Sequence, residues 1–155
     1  MNRTIERYGS LLARLALAAI FIHGGWAKLG GLDGTAAYIA AQGLPAPALA
    51  ALFAALVELL GGLAIALGLG TRWAALGLAL FLVPTTYFFH NPAGLEGAAA
   101  QMQQIQLFKN VAIIGGLLAL ASFGGGSLAF DGLLQGRRAT RARALRPVAP
   151  AGVGS

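Results

Sequence analysis

The chain has 155 residues, 57% of them hydrophobic and only 10% charged, and a mean hydropathy of +0.73. A water-soluble domain carries roughly 25% charged residues, so sixteen charges, eleven basic and five acidic, exclude an ordinary soluble fold. There is no cysteine, which excludes disulfides, thiolate metal sites and a thiol relay within this chain.

A spanning helix needs about 20 mostly apolar residues, and four stretches meet or approach that length: 8–29, 48–70, 73–89 and 105–123. The Thr71-Arg72 turn makes the second and third a tight antiparallel hairpin, and the Gln-rich stretch 101–106 leads into the fourth. Lipid cannot satisfy free backbone groups, so the spans are helices. The apolar runs are continuous and lack the period of two that a β-barrel requires. The expected architecture is an all-α, four-transmembrane-helix bundle. Between the first two spans, Asp33 is placed to cap a short helix running to Gln42, with Gly43 as a left-handed stop and Pro45 and Pro47 barring continuation.

The basic residues are unevenly placed. Arg3 and Arg7 precede the first span, Arg72 lies in the turn, and Arg137, Arg138, Arg141, Arg143 and Arg146 follow the fourth, while 30–47 and 91–104 contain no Lys or Arg. The positive-inside rule then places both termini in the cytoplasm of a multi-pass inner-membrane protein. Residues 1–134 form the membrane domain. Residues 135–155, rich in Arg, Ala and Pro, read as a disordered basic tail beside anionic lipid headgroups, with no nucleic-acid role. Arg14, His23 and Lys28 inside the first span, and the lack of a small-residue cleavage box, argue against a signal peptide.

Ionisable groups at membrane depth are costly and mark candidate function. At about 1.5 Å per residue from the cytoplasmic ends, Glu58 lies roughly 20 Å deep, Lys109 roughly 22 Å, His23 roughly 24 Å and His90 roughly 27 Å. Arg14, at roughly 10 Å, is expected to snorkel to the inner headgroups and Lys28 to the outer ones. Glu58 shares its helical face with Ala51, Ala54, Ala55, Gly61, Gly62 and Ile65, whereas the opposite face carries Leu52, Phe53, Leu56, Leu60, Leu63 and Leu67. Small residues mark helix contacts in membranes, so Glu58 points inward. Lys109 shares a face with Ala112, Ile113 and Gly116 and is expected to meet Glu58.

The candidate polar site is therefore Glu58, Lys109 and His23, with Asn110 and His90 beside them. Three roles stay open: a structural ion pair, a pocket in which Glu58 and His23 exchange protons with a quinone, and ion or solute translocation. Haem held by His23 and His90 is disfavoured because His90 sits at a helix end beside Asn91-Pro92. No HxxxH or ExxH spacing suggests a metal, and no glycine-rich phosphate loop follows a strand.

The segments RLALAAIFIHGGWAKL from Arg14, GLPAP from Gly43, ELLGGLAIALGLGTR from Glu58, KNVAIIGGLLAL from Lys109 and GGGSLAFDG from Gly124, in that order and spacing, resemble the DoxX family of small membrane proteins over about 8–134. The resemblance implies a four-helix membrane protein whose family namesake is a subunit of a thiosulfate:quinone oxidoreductase. It also marks Arg14, Lys28, Glu58, Arg72, Lys109, Asn110 and Asp131 as family-type polar positions. On that basis the leading expectation is a membrane subunit supporting quinone-linked redox chemistry beside a redox partner subunit. A small-solute or ion permease, or an assembly subunit, is the alternative. No cofactor other than a quinone is suggested, and the oligomeric state is not encoded in any motif.

Overall fold

The computed structural model describes residues 3–132; the tail read at 135–155 lies outside them. Five helices follow one another: α1 (Arg3–Gly30), α2 (Leu32–Ala41), α3 (Pro47–Leu67), α4 (Thr71–Phe89) and α5 (Gly97–Phe123). The described residues contain no strand. All but α2 are long and apolar enough to cross a membrane, as the hydropathy pattern requires. Two boundaries move outward from the sequence expectation, because α1 begins at Arg3 and α5 at Gly97.

The short helix forms where expected, but Asp33 does not cap it. Gly31 takes the N-cap position without a side-chain bond, which leaves Asp33 in the first turn, where a carboxylate still favours the helix dipole. Gly43 is left-handed at φ 71, as the stop requires.

The α3 surface follows its sequence pattern. Ala51, Ala55, Glu58, Gly62 and Ile65 are buried, while Phe53, Leu60 and Leu67 are exposed on the lipid side. Close approach depends on the glycines. A Cβ on Gly25 would stand 2.5 Å from the Leu59 backbone nitrogen, and one on Gly62 2.9 Å from that of Ile22, so α1 and α3 pack backbone to backbone. The core between the helices holds Ala18, Phe21, Ile65, Leu78, Leu82 and Leu117.

One end of the bundle carries Arg72 and the chain after α5; we call it the basic end, and the opposite one the α2 end. At the basic end Arg14 is 2% exposed and does not snorkel. Its guanidinium donates to the carbonyls of Gly125 and Leu128, each at 3.3 Å. The reason is local. The loop after α5 presents carbonyls to α1, that of Gly125 accepting from the Ser10 hydroxyl as well (3.1 Å), and Gly68 and Gly125 leave room for the guanidinium, which stands 2.4 and 3.1 Å from where their Cβ atoms would be. Asp131 completes this latch by accepting the backbone N–H of Gly70 (3.0 Å) and Thr71 (2.8 Å) and the Thr71 hydroxyl (3.1 Å). It thereby caps α4 from a distant part of the chain. Burial pushes the Asp131 carboxyl upward, but the two backbone N–H groups, the Thr71 hydroxyl and the Arg14 charge outweigh it and hold it below the usual carboxylate range.

Candidate functional site

Towards the α2 end the packing opens into a cavity of about 450 Å³. Its walls are α3 (Ala50, Phe53, Ala54), α4 (Phe81, Pro84, Phe88) and α2 (Tyr38, Ile39), with Lys28, Glu58 and His90 as its ionisable groups. Space is left because Ala50 and Ala54 contribute little side chain from α3. On α4 Pro84 removes one backbone donor. The neighbouring hydroxyls fold back onto the helix, Thr85 donating to the Phe81 carbonyl at 2.9 Å and Thr86 to that of Leu82 at 2.7 Å.

Glu58, 7% exposed, does not meet Lys109. Its partner is Lys28, whose Nζ lies 2.6 Å from Glu58 Oε2, the one ion pair among the described residues. Lys28, expected to snorkel outward, instead turns into the bundle. Gly24, one turn earlier on the same face of α1, makes this possible. A Cβ there would be 2.6 Å from Glu58 Oε2, so the glycine leaves the carboxylate its place beside Lys28.

Lys109 is exposed and bonds to Gln106 of its own helix. The buried stripe of α5 is Asn110, Leu117 and Leu120, which turns the adjacent Lys109 about 100° away. Asn110 donates to the Thr86 hydroxyl at 3.0 Å and ties α5 to α4 without entering the cavity lining. His23 is exposed too, with no hydrogen bond or ion pair to another described residue. The bundle side of α1 is Arg14, Ala18, Phe21 and Gly25; two residues from both Phe21 and Gly25, His23 falls on the opposite side. That placement also removes the His23–His90 haem arrangement. His90 is half-buried, with Nδ1 3.1 Å from Gln103 Oε1, and it shares the cavity with Glu58. Arg72 is exposed at the start of α4, on the basic end. Of the five expected site residues, the structure thus brings Glu58 and His90 together and leaves Lys109, His23 and Asn110 outside.

Sequence reading sent Lys28 to the outer headgroups and so missed its pairing with Glu58, and it missed the aromatic lining. The available signal was Gly24 four residues before Lys28, a small residue on the same helical face. The aromatic walls had no such signal, because Phe53 lies on the leucine-rich side of α3 and still lines the cavity. Among the described residues no group of three or more His, Cys, Asp or Glu is placed to hold a metal.

A small four-span bundle with an α2 cap, a buried ion pair and a basic-end latch defines a class of integral membrane protein. Residues 9–91 match the DoxX family. The chain is 37% identical over 121 residues to inner membrane protein YphA of Escherichia coli strain K12, covering 78% of this chain and 86% of that protein. It is 37% identical over 132 residues to inner membrane protein YqjF of the same organism, covering 85% and 96%. A third relative, the putative oxidoreductase CatD of Bacillus subtilis strain 168, is 36% identical over 83 residues, 54% of this chain and 60% of that protein. The chain belongs to the DoxX family and is a multi-pass protein of the inner membrane. No solved structure matches it.

Proposed function

We propose that this protein is the membrane subunit of a quinone-linked oxidoreductase of the thiosulfate:quinone type, with its basic end in the cytoplasm and its cavity in the outer half of the bilayer. The observation that carries this reading is the Lys28–Glu58 pair opening onto a largely apolar, aromatic-walled cavity that also holds His90. Ligand sites are typically apolar with a few placed polar groups, and this cavity has that make-up. The name of the CatD relative as an oxidoreductase and the basic residues at one end support it further.

When bound, a quinone supplies a two-electron, two-proton acceptor, the electrons coming from a partner subunit that carries the redox centre. The chain's own residues bind, orient and handle protons. Phe53, Phe81 and Phe88 offer ring faces and edges and exclude water. Lys28 Nζ has donors left beyond the one given to Glu58 and can hold a ligand oxygen. Glu58 Oε1, not used by Lys28, can take or give a proton. With Gln103 Oε1 accepting from His90 Nδ1, the lone pair of Nε2 is available as a second proton site.

The test is purification in native lipid, extraction for bound quinone, and reconstitution with quinone and sulfur donors in the presence of co-purifying subunits. The reading expects quinone in the wild-type extract and its loss in Glu58→Gln. An unchanged quinone content and unchanged growth on such donors in that variant would overturn it. So would solute-dependent uptake into proteoliposomes that Glu58→Gln abolishes, which would assign a permease.

A further inference from the structure

The way into the cavity is legible in its walls. At its α2 end the cavity is roofed by α2. Ile39 is buried against the bundle, the Tyr38 ring packs on Phe89 with centroids 5.3 Å apart, and the Tyr38 hydroxyl donates to the Phe89 carbonyl at 3.5 Å. On the basic-end side the bundle is closed by Phe21, Ile65, Leu78 and Leu82. Below the cavity α3 and α4 are pressed together, where a Cβ on Gly61 would stand 2.9 Å from the Leu78 side chain. Further toward α2 the two helices meet through the edge-on Phe53–Phe81 contact at 6.3 Å. There the lining reaches the surface. Phe53 is 62% exposed and Phe88 43%, and Pro84 is exposed as well. All three belong to helices long and apolar enough to cross a membrane, which turns this apolar rim toward lipid.

We propose that the cavity is loaded sideways from the bilayer, through the gap between α3 and α4 rimmed by Phe53, Pro84 and Phe88. Its ligand is then a ring headgroup on a hydrocarbon tail that stays in the gap. This rests on the quinone reading above and specifies the substrate class: a lipid-dissolved, tailed quinone instead of a water-soluble one. Polarity sets the direction of entry. The charged pair lies at the inner end, with Glu58 buried, while the rim is apolar; the oxygen-bearing ring therefore leads and the tail trails. Size agrees. A volume of about 450 Å³ lies low in the roughly 300–1,000 Å³ range that encloses drug-sized molecules, enough for a substituted ring but not for a long chain. The rim aromatics then contact the first tail carbons, and the bilayer solvates the rest.

Two photoreactive benzoquinones with decyl tails test this on the full-length protein in nanodiscs, one carrying an azide on the ring and the other a diazirine at the tail end. The inference expects the ring probe to label the peptides holding Lys28 and Glu58. It expects the tail probe to label α3 and α4 around Phe53 and Phe88 and to spare α2. Ring labelling at Lys28 and Glu58 with the tail label on Tyr38 or Leu44 would overturn sideways entry and leave the quinone site standing. A ring label absent from those peptides would overturn the site itself, and sideways entry with it.

Discussion

Replacing Glu58 by glutamine leaves the Lys28 ammonium inside the bundle with no counter-charge, and the cost can be worked from the geometry. At the observed 2.6 Å, two unit charges attract by about 6 kcal/mol at an effective dielectric constant of about 20. Desolvation of the carboxylate opposes this, and the Lys28 side chain is 32% exposed against 9% for Glu58, so the ammonium keeps some hydration. Breaking a buried pair by removing one partner costs roughly 3–5 kcal/mol. The partial exposure of Lys28 puts Glu58→Gln at the lower end, about 3 kcal/mol. For a chain of this size that corresponds to a fall in Tm of roughly 6–12 °C. Removing both charges together, as Lys28→Met with Glu58→Leu, removes both desolvation penalties, and the double variant returns to within about 1 kcal/mol of wild type. Thermal unfolding in nanodiscs, followed by circular dichroism, compares the three proteins. A double variant as unstable as Glu58→Gln, or a Glu58→Gln indistinguishable from wild type, would refute the pairing.

Gly25→Ala destabilises more than Gly24→Ala. The new Cβ at 25 meets the Leu59 nitrogen and the Ala55 carbonyl oxygen, backbone atoms that cannot turn aside, and overpacking of this kind costs roughly 1–3 kcal/mol. At 24 the Cβ meets the Glu58 carboxylate and the Lys28 ammonium, the movable ends of side chains, so the effect on ligand binding exceeds the effect on Tm. His23→Leu and Lys109→Leu, both on the lipid side, change stability by no more than about 0.5 kcal/mol and leave quinone content unchanged. Asp131→Asn costs roughly 1.5–3 kcal/mol through weakened hydrogen bonds to a charged cap, seen as a lower Tm and faster proteolysis at the α3–α4 turn. Because the Asp131 carboxyl is held below its ordinary range, its contribution is complete above the unfolded-chain value of about 3.9. It is lost as pH falls through the lower folded value. The Tm difference between wild type and Asp131→Asn therefore persists at neutral pH and closes only in strong acid.

The four spans, the short helix before Pro45 and the inward face of α3 were all legible in the sequence, because hydropathy and the separation of small from bulky residues act within one helix. Glu58 could be placed inward from Ala51, Ala55 and Gly62 alone. Its partner could not, because that depends on how deep the end of α1 sits against α3, a matter of tertiary register. Depth counting put Lys109 level with Glu58 but carried no information on rotation about the α5 axis, which Asn110, Leu117 and Leu120 set by packing on α4. Arg14 was misread because an arginine one turn or two inside a span ordinarily reaches for headgroups. Here the carbonyls of Gly125 and Leu128, far along the chain, satisfy it first. The cavity arises from what is missing at Ala50, Ala54 and Pro84, and absent side-chain volume leaves little trace in an apolar sequence.

The central claim is that the Lys28–Glu58 end of the cavity holds a quinone headgroup. Equilibrium binding of a decyl-tailed benzoquinone to the full-length protein in nanodiscs tests it most directly, comparing wild type with the stable Lys28→Met, Glu58→Leu double variant. Loss of a hydrogen bond to a charged group, about 1.5–3 kcal/mol, predicts saturable wild-type binding weakened at least about tenfold in the variant. Equal affinity in the two proteins, with both folded, would contradict it.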